Sequence, residues 1–339
     1  MKKFILPAVL LYCLACSEDG PNPVNVDNTT VHLAGIILTA GGVQVPSYWK
    51  NGIYNNLMND TTMSAGIHSL IINDSLVSIS GVLLNSISTF DDEGVTWQNG
   101  LQSRIEGVSG KYVLSTFESN NLISVWEDSC LGFVFTKDGS VQPVVDTASF
   151  FPVGLAVAGN SVYLAGNAKG YYGGGFLWSN MFAQYWKDGQ LIFREREHSV
   201  VSNIFIHEND IYLSGYLHRK DSSTHEGYNI ACYWKNGQLV ELEKRSSAGS
   251  RATSIFVTDS GVFVLGDLNF KPVYWKNGVV THVTYLQTAS ATTIFVKGSD
   301  VYVGGSIDGH PAYWKNEVKQ NISHQNKHGE IKFIVVGPN

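Results

Sequence analysis

Tyr233-Trp234-Lys235-Asn236-Gly237 is the phrase on which the reading of this chain turns. It returns unchanged at residues 48–52 and 274–278, with Asp in place of Asn at 185–189, and with Glu in the last place at 313–317. Two looser copies complete the series, Thr96-Trp97-Gln98-Asn99-Gly100 and Phe135-Thr136-Lys137-Asp138-Gly139. The seven starts lie 48, 39, 50, 48, 41 and 39 residues apart. Asn-Gly and Asp-Gly accept positive φ at both positions, so they close a two-residue hairpin whose twist matches its strands. Each phrase therefore predicts the end of one strand, a tight turn and the start of the next.

Two short runs of β-branched and aromatic residues precede the later phrases. They are Ile255-Phe256-Val257 then Val262-Phe263-Val264-Leu265-Gly266, and Ile294-Phe295-Val296 then Val301-Tyr302-Val303-Gly304-Gly305. Residues 203–206 with 211–215, 154–157 with 162–166, and 69–72 with 76–81 follow the same pattern. Each unit thus reads as four strands: an inner strand A, a glycine-ending strand B, strand C ending at Tyr-Trp, and strand D after the turn. In the third unit, roughly 111–144, the first two strands are not readable. Four-stranded units repeating every 40–50 residues predict the blades of a β-propeller.

The ends predict how the ring shuts. The first unit opens at Val31-His32-Leu33-Ala34-Gly35, which matches strand B with no strand A before it. The last is followed by Ile331-Lys332-Phe333-Ile334-Val335-Val336, a spare strand A. Pairing the two gives an all-β, seven-bladed propeller of four-stranded antiparallel blades over residues 29–339, closed by the C-terminal strand. Its repeats resemble the kelch-like repeats of bacterial extracellular propellers, a family whose members bind, scaffold or catalyse.

Upstream of the ring, Lys2-Lys3 followed by the apolar run 4–14 reads as an export signal, too short to cross a bilayer as a helix. Leu14-Ala15-Cys16 resembles the lipobox of bacterial lipoproteins, although Cys13 stands where that family prefers Leu. The acidic residues after Cys16 resemble the surface-export tag of Bacteroidota-like lipoproteins. The resemblance implies cleavage after residue 15, acylation of Cys16, a tether over 16–28, and a lipid-anchored protein of the outer membrane or cell surface. Cys130 and Cys232, 102 residues apart in non-adjacent units, read as two separate thiols.

A net charge of −6 with no Lys/Arg cluster argues against nucleic acid as a partner. No cofactor motif is present: Gly173-Gly174-Gly175 lacks a following Gly-Lys-Ser/Thr. His207, His218, His225, His282 and His310 show neither helix nor strand ligand spacing, so no metal is assigned. Asp92-Glu93-Gly94-Val95-Thr96-Trp97 resembles a single Asp-box of sialidase-type propellers, but Phe90 replaces the usual Ser and the box is structural in that family.

In a propeller the B–C and D–A loops share one face. The B–C segments of units four and five, residues 167–184 and 216–229, are long and adjacent in the ring. Tyr171, Tyr172, Phe176 and Trp178 in the first, with His218, Arg219, Asp221, His225 and Glu226 in the second, are the candidate ligand-binding residues. Aromatic faces stack on sugar rings or peptide side chains, and charged groups add directional hydrogen bonds. The expectation is a monomeric binding or scaffold module for a glycan, peptide or partner protein. The alternative is an extracellular polysaccharide hydrolase or lyase built on carboxylates such as Asp91, Asp92, Glu93 and Glu226. A structural subunit of an outer-membrane complex is a third, weaker reading.

Overall fold

The computed structural model describes residues 29–338 apart from 58–62, 74–75, 85–91, 110, 119–120, 129–131, 138–139, 145–149, 170–180, 221–225, 243–248 and 324–326. Among the described residues all regular structure is β. Blade 1 holds β1 (Thr29–Leu38), β2 (Gln44–Lys50) and β3 (Ile53–Asn56). Blade 2 holds β4 (Ser64–Asn73), β5 (Leu76–Leu84), β6 (Glu93–Gln98) and β7 (Leu101–Ser109). Blade 3 holds β8 (Lys111–Glu118), β9 (Asn121–Asp128), β10 (Gly132–Lys137) and β11 (Ser140–Pro143). Blade 4 holds β12 (Phe150–Ala158), β13 (Ser161–Lys169), β14 (Met181–Lys187) and β15 (Gln190–Arg194). Blade 5 holds β16 (Ser199–His207), β17 (Asp210–Lys220), β18 (Gly227–Lys235) and β19 (Gln238–Glu241). Blade 6 holds β20 (Ser250–Thr258), β21 (Gly261–Leu268), β22 (Lys271–Lys276) and β23 (Val279–His282). Blade 7 holds β24 (Ala289–Lys297), β25 (Asp300–Ile307), β26 (His310–Lys315) and β27 (Val318–Lys319). The final strand β28 (Gly329–Pro338) returns to blade 1, in the order β28-β1-β2-β3.

The inner strands touch in a closed cycle, β28, β4, β8, β12, β16, β20, β24 and back to β28. The expected seam is present in antiparallel register, Val31 opposite Val336, Leu33 opposite Ile334 and Gly35 opposite Ile331. Closing the ring with strands from both ends covers β1, which would otherwise be a bare sheet edge in blade 1. The two strands of the third unit that the pattern hid are β8 and β9.

The turns have the geometry that their residues predict. Asn51, Asn99, Asp188, Asn236, Asn277 and Asn316 have φ of 47–51°, and each is followed by a second positive φ, at glycine everywhere except Glu317. The Asn or Asp also does something a generic turn residue cannot. Its side-chain oxygen accepts a hydrogen bond from the first N–H groups of strand B, as Asn277 Oδ1 does from Val262 N at 2.9 Å and Asn316 Oδ1 from Val301 N at 2.8 Å. The backbone N–H of the same residue donates to the carbonyl of that partner.

Tyr-Trp neighbours point to opposite faces of their blade, because side chains alternate along a strand. The Tyr of one blade therefore meets the Trp of the next. Tyr48 packs with Trp97, Phe135 with Trp186 and Tyr185 with Trp234. Tyr233 packs with Trp275, Tyr274 with Trp314 and Tyr313 with Trp49. The remaining interface, between blades 2 and 3, has Thr96 and Thr136 at those positions and is built instead from Val82, Val108, Val113, Trp126 and Val134.

The glycine that ends strand B has a cause outside its own strand. Each inner strand carries a bulge at one level, between Ala252 and Ser254 or Ala291 and Thr293, for example. The bulge drives an inner-strand carbonyl against strand B. A Cβ at Gly81, Gly215, Gly266 or Gly305 would stand under 3.0 Å from Gly66 O, Val200 O, Arg251 O or Ser290 O. Blade 3 has Trp126 at this level, and there the ladder skips from Lys111–Glu127 to Leu114–Val125.

Candidate functional site

Strand direction sorts the connections onto two faces. The A–B and C–D turns lie on one; the B–C and D–A connections, the expected recognition rim, lie on the other. Of the sequence candidates, Tyr171, Tyr172, Phe176, Trp178, Asp221 and His225 lie outside the described residues, as does Cys16. His218, Arg219 and Glu226 are described. The long insertion expected over 216–229 is corrected: β17 and β18 extend through it and pair from Tyr216–Ala231 to Lys220–Gly227, so His218 and Arg219 sit on a strand. A longer hairpin satisfies its own backbone groups, which a loop of that length would leave to solvent.

At this hairpin His218 Nδ1 meets Asn229 Oδ1 at 2.9 Å, and its ring lies 4.8 Å from that of His198. The ring rests over Gly227, where a Cβ would collide with it. Burial, then the neighbouring His218, lowers the pKa of His198. Arg219 bridges Glu241 at 2.8 Å and Glu197 at 3.2 Å, so it ties β17 to β19 and to the connection entering blade 5. Partial burial opposes its charge, but Glu241 and Glu197 outweigh that and hold its pKa above the ordinary value. Behind it, Glu195 Oε2 accepts from Trp234 Nε1 at 2.7 Å, and Cys232 is a buried free thiol whose pKa is raised well above normal, chiefly by burial. Arg219 is therefore half architecture: it neutralises two carboxylates at a blade seam.

The rim continues in contact from there. Gly249, beside Asn229, accepts from Asn269 N at 3.1 Å. Next comes a feature that sequence reasoning missed. The B–C turn of blade 6 is Asn269-Phe270, with φ of 52° and 62°. The equivalent turn in blade 7 is Asp308-Gly309, with the glycine such a position favours. Phe270 is instead held in the left-handed region and 65% exposed. Beside it, Lys271 Nζ lies 5.9 Å from the ring centre of Tyr285, which is 71% exposed and packs at 4.6 Å against His282. His282 Nδ1 is buried with no partner among the described residues. Thr288 then accepts from Asp308 N at 3.1 Å, and His310 stacks on His328 at 4.6 Å. The signal available in the sequence was the Asn-Phe pair at a turn position where its neighbour has Asp-Gly.

Toward the channel mouth, Arg251 lies 5.9 Å from the ring centre of Tyr216. Burial raises the pKa of Asp267, and Arg251 opposes part of that rise. Ser290 Oγ contacts Ser306 Oγ at 2.9 Å and Glu330 Oε1 at 3.1 Å, while Lys332 pairs with Glu330. Of the carboxylates considered for hydrolysis, Asp91 lies outside the described residues and Glu93 is paired with Arg104 at 2.9 Å. On the opposite face His207 Nε2 lies 3.2 Å from Asp259, and with Glu208 their ligand atoms fall within 4.8 Å of one another. Spacing alone had left His207 isolated, because its partners come from two blades.

No family model matches the chain, and no curated protein does. Solved structures do. The β-propeller domain of the Trilobed protease from Pyrococcus furiosus aligns with TM-score 0.54 and 10% identity, over 87% of this chain and 95% of that one. That domain has an open velcro topology, whereas here β1 and β28 close the ring. Acylaminoacyl peptidase of Pyrococcus horikoshii aligns with TM-score 0.50 and 12% identity, over 76% of this chain and 46% of that one. A puromycin-hydrolyzing peptidase of Mycobacterium tuberculosis aligns with TM-score 0.50 and 7% identity, over 77% and 47%. This chain spans about half the length of the two peptidases. At these identities the likeness is one of fold.

Proposed function

We propose that the protein is a lipid-anchored, extracytoplasmic binding module of the outer membrane or cell surface, attached through Cys16, that uses the loop rim of blades 4–7 to hold a glycan, peptide or partner protein. The observation that carries the reading is Phe270. A bulky aromatic kept exposed in a backbone conformation that favours glycine costs stability, and such cost concentrates at functional positions. With Tyr285 it offers two flat apolar faces; Lys271 and His282 lie against Tyr285, and the stacked His310 and His328 follow along the rim at blade 7. Sugar rings and aromatic or aliphatic peptide side chains are ligands that stack on such faces while polar groups orient them. Tyr171, Tyr172, Phe176 and Trp178 of blade 4, with Asp221, His225 and Glu226 of blade 5, would extend the same rim.

The test is a glycan-array and peptide-library screen with the full chain, followed by titration of any hit. Phe270→Ala with Tyr285→Ala should abolish binding at unchanged melting temperature, and Tyr171→Ala, Tyr172→Ala and Trp178→Ala together should weaken it. Undiminished affinity in both sets sinks the reading. The hydrolase alternative rests on Asp267, a carboxyl with a raised pKa beside Arg251 at the channel mouth. Release of reducing ends from a bound polysaccharide, lost in Asp267→Asn, would favour it instead.

A further inference from the structure

The turn face, opposite the recognition rim, is asymmetric in a way that neither the repeat nor the core requires. The residue after each C–D turn opens the outermost strand at the periphery of this face. In blades 6, 7, 1 and 2 it is Val279, Val318, Ile53 and Leu101, each 63–77% exposed. In blades 3, 4 and 5 it is Ser140, Gln190 and Gln238, which serve the same turn equally well. The four aliphatic residues are therefore consecutive around the ring. Three pair across the turn with a lysine: Val279 with Lys276, Val318 with Lys315 and Ile53 with Lys50. Lys315 is held by Asp300 at 2.9 Å, whereas Lys50 and Lys276 are exposed and form no ion pair among the described residues.

The way the chain enters the ring adds a second observation. β1 is the second strand of blade 1 and starts on the turn face, where Thr29 pairs with Pro338. Blade 1 lies within the aliphatic arc. Residues 1–28 therefore join the ring beside these side chains. Cys16 is thirteen residues from Thr29, a path of at most about 45 Å when fully extended. A lipid on Cys16 would tether the ring through this face, within that distance of the bilayer.

We propose that Val279, Val318, Ile53 and Leu101 form a bilayer-contact arc, seated in the headgroup region of the membrane that holds the lipid anchor, so that the loop rim faces away from it. The inference rests on the lipid-anchored reading of Cys16. Single exposed aliphatics are ordinary. An arc of them beside lysines can partition into the headgroup–acyl boundary while the amines reach lipid phosphates. Four such side chains fall well short of the roughly 800 Å² per partner that a stable protein dimer buries, which disfavours a second copy as the occupant.

The experiment uses the full chain, native and Cys16→Ser. The intact mass of the native chain reads acylation separately. Ile53→Cys, Val279→Cys, Gln190→Cys and Gln238→Cys, each carrying an environment-sensitive fluorophore, are bound to vesicles of phosphatidylethanolamine with phosphatidylglycerol and of phosphatidylcholine alone. Positions 53 and 279 should shift to the blue and be quenched from the lipid phase, and positions 190 and 238 should not. In the Cys16→Ser background, replacing all four arc residues with Ser should lower vesicle partitioning at least about tenfold. The proposal is overturned by a vesicle-bound chain in which no position shifts or all four shift alike, or by absent partitioning of the Cys16→Ser chain. Concentration-dependent pairing in solution that the four-Ser variant abolishes would assign the arc to a second copy instead. A native chain without acyl mass defeats the anchor reading, and the Cys16→Ser arm still decides the arc.

Discussion

Asn236 and Ile211 are joined by two hydrogen bonds, Ile211 N to Asn236 Oδ1 at 2.9 Å and Asn236 N to Ile211 O at 2.8 Å. The residue that allows the C–D turn thus also fastens the start of strand B, the strand next inward from C in the same blade. Asn236→Gly keeps the φ and loses the side-chain bonds, which include Asn236 Nδ2 to Asp210 Oδ1 at 2.7 Å; Asn236→Ala loses the same bonds and strains the φ. Urea denaturation should find a cost of about 1 kcal/mol for the first and about 2 kcal/mol for the second. Equal costs would mean that the left-handed φ contributes nothing, and an Asn236→Gly variant as stable as the native chain would mean the same of the side-chain bonding.

Gly215 and Gly278 separate two reasons for glycine. At Gly215 the obstacle is Val200 O, and backbone must move. At Gly278 the space is open, and only a φ of 81° disfavours a side chain. Gly215→Ala should cost more than about 3 kcal/mol and broaden unfolding, against about 1 kcal/mol for Gly278→Ala. Similar melting temperatures for the two variants would contradict the bulge argument.

Trp234 is fully buried between blades 4 and 5, with Nε1 on Glu195. Trp234→Ala should cost about 3–5 kcal/mol, and Trp234→Phe less, although it removes the donor to Glu195 Oε2. Because this seam carries Arg219, calorimetry should show lower cooperativity for the Ala variant.

Phe270→Gly should stabilise the protein by up to about 1 kcal/mol, because it relieves a left-handed backbone at an exposed residue. The same change should remove ligand binding. A destabilised Phe270→Gly variant would show that the ring packs rather than being presented.

Stability should fall in mild acid. Burial lowers the pKa of His32 and of His68 from 6.5 to about 4, and Lys50 adds to the effect on His32. His32 Nδ1 also meets Tyr48 Oη at 2.6 Å. Both rings stay neutral in the folded protein while the unfolded chain takes up protons below about 6.5. The unfolded state then binds more protons, so stability rises with pH across this window. It should be full above about pH 6.5 and decline toward pH 4, by up to about 3 kcal/mol per histidine. Urea midpoints at stepped pH values read this, and His68→Gln should flatten the curve. A wild-type midpoint constant from pH 7 to 5 would contradict it.

Local signals carried most of the architecture. Residues 233–237 and their copies encode a turn by backbone preference and a strand by side-chain alternation, both properties of neighbouring residues. Unit three was obscured because Trp126 stands at the glycine level and Thr136 at the tryptophan position. The recognition rim was legible only in part. Length pointed to residues 216–229, but pairing converted most of that segment into hairpin. The rim around Phe270 was invisible because its insertion is only two residues long.

The chain's own order of residues was enough for the blade count, the turn types, the four-strand unit and the closing of β28 on β1, since each depends on spacing and on short-range preference. Tertiary structure alone decided which residues of different blades share a surface. The bulge that dictates Gly215 lies in another strand, Arg219 finds its carboxylates on β19 and in the connection entering blade 5, Asp259 reaches His207 from the next blade, and the aliphatic arc exists only once the ring brings blades 6, 7, 1 and 2 side by side. Curvature of the closed ring sets those distances, and no local segment encodes it.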